Sequence, residues 1–410
     1  MPLNNPAYSY SAQQGYSNVD APYSNHAFSS STWLEKEQAR NRRSKWLLIG
    51  GLVGLIALIA IGVGVGVSVA KSHSSSSSSK KSSGSSTSVV NQTDPNDPST
   101  FQLDSRLKKS FYGIAYTPEG SQLPDCGNSL EDVITDIQLL SQLTDQIRLY
   151  GADCNQTALV LEAIKQTKVN MTVWLGNYPV PTDPAPYERQ RDAIIDALKT
   201  YGTDHVSGIT VGNEFILNYL NANGATDPNS AVGNAGAQLL IANISDTRSA
   251  VQALGLSKTL PIGTADAGSF FNSEVLAAVD YGMSNIHAWF ANVSIDQAAG
   301  WVDEFFQENN VALAQTLANN PKMYIAETGW PTASKDVGNE SNGPSVASEP
   351  NLQQTFLDTF VCQANNNGTG YFFFEYFDET WKDQEFGGVE GHWGLFYSNR
   401  TLKDITIPSC

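Results

Sequence analysis

From Phe111 onward, short apolar runs of strand length recur at intervals of roughly 25–50 residues. They cover Phe111–Tyr116, Gln146–Gly151, Met171–Gly176, Gly208–Gly212, Pro261–Ala265, Asn285–Phe290, Met323–Ala326 and Gly370–Phe374. Amphipathic stretches of helical length lie between most of them, such as Leu130–Leu143, Arg189–Lys199 and Glu304–Leu317. Strands alternating with helices predict an α/β fold, and eight repeats over residues 101–410 predict a (β/α)8 TIM barrel. An open doubly wound sheet is the competing layout. No Gly-rich dinucleotide or P-loop fingerprint follows the first strand, which argues against it.

A different pattern precedes the barrel. Trp46 to Ala70 is a run of 25 residues without a charge, enough for one helix to cross a ~30 Å hydrocarbon core. A cleaved signal peptide would have a shorter leader and an apolar run of only ~7–15 residues, so a retained signal-anchor is expected. Arg40, Arg42, Arg43 and Lys45 crowd the near side, while only Lys71 follows closely. By the positive-inside rule the N-terminus is then cytoplasmic. N-x-S/T sequons open at Asn91, Asn155, Asn170, Asn243, Asn292, Asn339, Asn367 and Asn399, and none precedes the span, which agrees with a glycosylated domain beyond it. Residues 1–45 are rich in Tyr, Ser, Asn and Ala without an apolar period, and read as a disordered cytoplasmic tail. Residues 71–100 carry Ser74–Ser79 and most of Ser82–Ser88, and read as a Ser-rich stalk. Gly50/Gly54 and Gly62/Gly66 have the spacing of helix-pairing glycines, although small residues in a lipid-facing helix need no partner.

Charge narrows the partners. Residues 101–410 hold 16 Lys/Arg against 36 Asp/Glu, so this domain repels phosphate backbones and nucleic acid is not an expected partner. The four cysteines, Cys126, Cys154, Cys362 and Cys410, form no C-x-x-C pair, and the five histidines are scattered. No metal and no cofactor are expected. Two disulfides in an oxidising compartment are. The sequence does not give their pairing; Cys126 with Cys154 and Cys362 with Cys410 is the expectation.

In barrels of this kind chemistry sits where strands end at the C-terminal face. Strand four ends Val211-Gly-Asn213-Glu214, and strand seven ends Ala326-Glu327-Thr-Gly-Trp330-Pro331. These strands stand across an eight-strand ring, so two carboxyls at their tops flank one bond. Glycoside cleavage needs that arrangement: one carboxylic acid protonates the departing oxygen, and one carboxylate meets the charge at the anomeric carbon. Glu214 alone has a plainer explanation, as an acid opening a short helix. No helical pattern follows Glu327.

These residues resemble glycoside hydrolase family 17, the β-1,3-glucanases of plants and fungi, over about residues 109–410. Val211-Gly-Asn-Glu214 looks like that family's acid/base motif and Glu327-Thr-Gly-Trp-Pro its nucleophile motif. Phe377-Asp-Glu-Thr-Trp-Lys382 and His392-Trp-Gly-Leu-Phe-Tyr397 resemble its two closing segments, with Trp393 where the plant pattern has Phe. The span and stalk are similar to the anchored fungal branch. The resemblance implies a retaining reaction on β-1,3-glucan, with Glu214 as proton donor and Glu327 as nucleophile. Among neighbours, Asn213 is a candidate for the sugar 2-OH, and Arg148 for holding Glu327 ionised. Tyr116, Tyr150 and Trp330 are candidates for stacking on sugar faces, or for core filling. Glu379 and Lys382, with Asp266 and His287 behind them, are candidates for binding hydroxyls.

The reading is therefore a plasma-membrane, single-pass type II enzyme whose catalytic domain faces the cell wall. A glucanosyltransferase using the same covalent intermediate is one alternative, and a non-catalytic glucan-binding tether is another. Protease added to intact protoplasts is expected to release the domain and spare the tail; digestion of the tail instead would reverse the topology.

Overall fold

The computed structural model describes residues 90–410; the expected tail, the span over 46–70 and most of the stalk lie outside them. Eight parallel strands close into a barrel in chain order. They are β1 (Gly113–Ala115), β2 (Gln146–Arg148), β3 (Thr172–Asn177), β4 (Val206–Asn213), β5 (Ile262–Ala267), β6 (Tyr281–Asn285), β7 (Lys322–Thr328) and β8 (Tyr371–Phe373). Helices α1 (Leu130–Leu140), α2 (Gln156–Thr167), α3 (Ala185–Tyr201), α4 (Phe215–Ala222), α5 (Ala231–Ala253), α6 (Ser273–Ala277) and α7 (Ile295–Phe305) lie between strands. A wide π-helical stretch, Phe306–Val311, continues α7 into α8 (Ala312–Gln315). Another, Leu352–Phe360, leads into α9 (Val361–Asn367), and α10 (Thr380–Glu385) follows β8.

Two packed regions hold this ring. Outside, the apolar faces of the helices close on the strands, with Ile137, Leu140, Ile164, Leu198, Leu240 and Val302 essentially inaccessible. Inside, Trp174, Tyr281, Tyr324 and Phe372 form a plug. Trp174 meets the ring of Tyr281 at 4.8 Å and that of Tyr324 at 5.3 Å. Rings this large fit because the facing strand positions have no side chain: a Cβ on Gly263 would lie 2.3 Å from the Tyr281 ring, and one on Gly113 2.5 Å from Phe372. Trp174, Tyr281 and Tyr324 come from the N-terminal halves of their strands and Phe372 from the middle of β8, which leaves the C-terminal mouth for polar groups.

Two sequence expectations shift. The sixth strand is Tyr281–Asn285 and not Asn285–Phe290. Its outward positions are Gly282 and Ser284, so it carries little hydrophobic signal; a Cβ on Gly282 would lie 2.9 Å from Leu276 of α6. The stalk boundary also moves. Residues 90–100 fold onto the domain: Val90 is buried, Gln92 bridges Phe101, and Gln138 of α1 donates to the Pro98 carbonyl at 2.8 Å. Polar turns at Asp94 and Asp97 shape that segment, and Val90 anchors it in the apolar core.

Both expected disulfides form, Cys126–Cys154 and Cys362–Cys410. The C-terminal segment is further clamped by ions. Arg400 donates from Nε to Oδ1 of the fully buried Asp136 at 2.6 Å, and Tyr116 donates its hydroxyl to Oδ2 at 2.8 Å. Lys403, equally buried, donates to Asp378 at 2.7 Å. Removing one partner of such a pair strands a charge in the core. Arg400→Met is expected to cost about 3–5 kcal/mol in urea unfolding, and a loss below about 1 kcal/mol would show the clamp to be ornamental.

Candidate active site

The mouth collects polar side chains from the ends of β2, β4, β5, β6 and β7. Asn213 closes β4, and Glu214 follows with φ +56° and ψ +34°, a left-handed conformation uncommon for a residue with a side chain. Two contacts hold that turn. The Glu214 N–H donates to the Ala265 carbonyl at 3.1 Å. Asp266, on β5, accepts from the backbone N–H of Ile216 at 2.9 Å and of Leu217 at 3.4 Å. Asp266 thus caps α4 and fixes the exit from Glu214. Its buried carboxyl is spent on backbone, which is not the sugar-binding role expected of it.

Glu327, on β7, is gripped from two sides. Arg148 donates from Nη1 to Oε1 at 3.1 Å, and His287 Nε2 lies 3.1 Å from Oε2. A carboxylate only accepts, so Nε2 carries the proton in that bond. The imidazole is wedged edge-on against Trp393 at 5.0 Å and Phe374 at 5.3 Å. Arg148 also donates from Nη2 to Asn213 Oδ1 at 2.7 Å, tying the two carboxylate-bearing strands together. Its guanidinium lies 4.3 Å over the ring of Tyr150. Asn285, at the end of β6, donates to Glu214 Oε1 at 3.0 Å.

These surroundings split the two acids. Burial pushes the Glu214 carboxyl up, the nearby charge of Glu327 adds to it, and the single neutral amide of Asn285 offsets only part, leaving it at about 7. Burial also pushes Glu327 up, but the His287 hydrogen bond and the Arg148 charge outweigh it and hold this carboxyl at about 2. Between those values one group is a proton donor and the other an anion, the separation an acid–nucleophile pair requires.

A second charged cluster adjoins the first. Lys382 donates to both oxygens of Glu375, at 3.0 and 2.8 Å, and lies 3.5 Å from Glu379. Burial raises Glu375 well above the usual carboxylate range, and the charge of Glu379 raises it further.

The structure gathers Asn213, Glu214, Arg148, Tyr150, His287 and Glu327, with Glu379 and Lys382 in the adjoining cluster. It does not bring Trp330 or Tyr116 to the mouth. Trp330 is fully buried, edge-on to Trp289, with its indole N–H donated to the Val346 carbonyl. Tyr116 points its hydroxyl at Asp136 and packs on Tyr376. Three contributors were missed. Asn285 and Glu375 both obey the strand-end rule; the first escaped through misplacement of β6. Tyr178, just past β3, is 38 % exposed, with its backbone pinned on both sides by the Gln190 amide.

A closed eight-strand barrel with two opposed, differently charged carboxyls at its C-terminal mouth is the frame of a two-carboxylate glycoside hydrolase. Residues 113–394 match the BtgE/BtgC glycoside hydrolase domain, and the chain belongs to that family. A probable glucan endo-1,3-beta-glucosidase btgC of Aspergillus terreus is 36 % identical over 332 residues, 77 % of this chain and 48 % of the relative. The glucan endo-1,3-beta-glucosidase btgC of Emericella nidulans is 38 % identical over 395 residues, 90 % of this chain and 58 % of its own length. The chain thus spans about half the length of the curated relatives it matches. Among solved structures, a glycoside hydrolase family 17 beta-1,3-glucanosyltransferase from Rhizomucor miehei is 26 % identical with a TM-score of 0.58, covering 74 % of this chain and 99 % of that one.

Isotope-edited infrared titration is expected to find the Glu214 carboxyl protonating near 7 and Glu327 near 2. The Asn285 bond favours the charged form, so Asn285→Ala is expected to move the Glu214 titration upward. A downward shift would contradict the geometry.

Proposed function

We propose that the chain hydrolyses internal bonds of β-1,3-glucan with retention, through a covalent glycosyl-enzyme. The observation that carries this reading is the asymmetry of the two carboxyls: Glu327 is held by a guanidinium and an imidazole, Glu214 by one neutral amide. Glu327 attacks the anomeric carbon while the bond to the departing glucosyl oxygen breaks, and Glu214 gives its proton to that oxygen. Glu214 then takes a proton from water as the water displaces Glu327. Asn213, fixed by Arg148, is placed to meet the 2-OH of the reacting ring. The relatives' names support the substrate, and so does an active-site mutant of the Rhizomucor miehei beta-1,3-glucanosyltransferase solved in complex with laminaritriose (25 % identical, TM-score 0.58). A mere glucan tether has no use for two carboxyls held in opposite protonation states.

The setting is also our reading. The apolar run 46–70, the basic cluster before it and the sequons after it support a type II plasma-membrane anchor presenting the domain to the cell wall.

Glu214→Ala is expected to lose nearly all turnover of glucan, whose leaving alkoxide needs a proton, yet to retain attack on a dinitrophenyl glycoside, whose phenolate departs unaided. Glu327→Ala is expected to fail on both. With added azide the first variant yields the β-azide and the second the α-azide. Equal losses on both substrates, or azides of one configuration, would overturn the assignment. Products longer than the starting oligosaccharide would mean that a sugar hydroxyl replaces water in the second step.

A further inference from the structure

Three consecutive residues of β5 brace the turn on which Glu214 sits. The Thr264 hydroxyl donates to the Val211 carbonyl at 2.7 Å, and the Ala265 carbonyl accepts the Glu214 N–H at 3.1 Å. Asp266 then accepts from the N–H groups of Ile216 and Leu217, at 2.9 and 3.4 Å. We propose that Asp266 is a positioning residue for proton delivery: it caps α4 in place of Glu214 and so keeps the Glu214 carboxyl free for the departing oxygen, a reading that rests on the glucanase function above.

The need for a substitute cap follows from where Glu214 stands. It precedes Phe215, the first residue of α4, and so occupies the helix's own capping position. A residue there ordinarily turns its side-chain oxygen onto the N–H groups two or three places ahead, which have no partner inside the helix. For Glu214 those are the N–H groups of Ile216 and Leu217. Glu214 makes no such bond. Its carboxyl instead meets the Asn285 amide at 3.0 Å in the mouth. With both helix donors taken by Asp266, nothing draws that carboxyl back onto its own helix.

The brace works where water cannot replace it. Asp266 is 2 % exposed and Ile216 1 %. Asp266 Oδ1 also accepts from the Ala267 N–H at 2.9 Å, so both oxygens are engaged with backbone and neither is offered to a sugar. The turn needs holding, because Gly212 has φ +98° and Glu214 φ +56°. A residue with a side chain keeps the second conformation only where its neighbours enforce it. A Cβ on Gly212 would come within 3.0 Å of the Thr264 hydroxyl oxygen, so a glycine is what lets β4 run this close to β5.

The test uses the full chain and two β-laminaribiosides, one of dinitrophenol and one of phenol. Neither has a sugar on the leaving side, so they differ in how much the departing oxygen needs a proton. The measured quantity is kcat/KM, which covers the steps through the glycosyl-enzyme. In Asp266→Ala the phenyl glycoside is expected to lose on the order of 10²-fold, the scale of a misplaced reacting group. The dinitrophenyl glycoside is expected to lose less than about threefold, since its leaving group departs unaided. Asp266→Asn, which keeps a carbonyl oxygen for the Ile216 N–H, is expected to recover most of the loss. Thermal unfolding checks the fold; if the alanine variant does not fold, Asp266→Ser carries the same comparison, with a smaller split of the same sign expected. Equal losses on the two glycosides, or no loss on either, overturn the positioning role and leave the glucanase reading standing. A wild type inert on both glycosides and on β-1,3-glucan sinks that reading, and a crystal structure of the variant then decides the cap by itself. A Glu214 carboxyl that leaves Asn285 for the Ile216 N–H upholds the exchange of caps, and one that stays on Asn285 overturns it.

Discussion

One buried guanidinium connects the two halves of the barrel mouth. Arg148 is 1 % exposed and spends two nitrogens on opposite strands, one on Asn213 beside Glu214 and one on Glu327. Its planar fork fixes both distances at once, which a lysine ammonium at the end of a flexible stem could not do. The same contact sets protonation: it helps to keep Glu327 ionised, and that negative charge in turn raises Glu214. Position and charge at the mouth are therefore one constraint, not two.

The charge balance extends outward from that centre. Lys382 is the cation of the neighbouring cluster, as Arg148 is of the first, but it faces two carboxyls, Glu375 and Glu379. Burial and the charge of Glu379 push Glu375 toward its neutral form, so the cation stands against about one negative charge and the cluster beside the mouth is close to balanced. The acidic balance of residues 101–410 is compatible with the proposed glucan, which brings no charge to repel.

Much of this was legible in the residues themselves. Seven of the eight apolar runs fall on barrel strands, and the strand-end rule brought Glu214 and Glu327 forward out of 36 acids in residues 101–410. Losses came where the physics is non-local. β6 hid because its outward positions, Gly282 and Ser284, carry no large apolar side chain, and Asn285 was lost with it. Trp330 looked like a platform three residues past Glu327, yet the chain turns it into the wall against Trp289. Asp266 sat at a strand end as a substrate ligand should, but the four-residue run from Asn213 to Ile216 swings backbone N–H groups within its reach. Sequence shows which side chains are available; which way each faces is decided by neighbours far along the chain.

The aromatic plug carries a consequence for the proposed substrate, a polymer. Trp174, Tyr281, Tyr324 and Phe372 stopper the barrel below the acids, so the fold is a cup, not a tube. A long chain cannot be threaded through it and must be laid across the rim, entering and leaving by the same opening. A strand embedded in a wall need not offer a free end to such a rim, because any exposed stretch between its ends is already presented side-on. If the proposed glucan is the substrate, the rings that fill the base of the cup thus make the middle of the polymer as reachable as its tip.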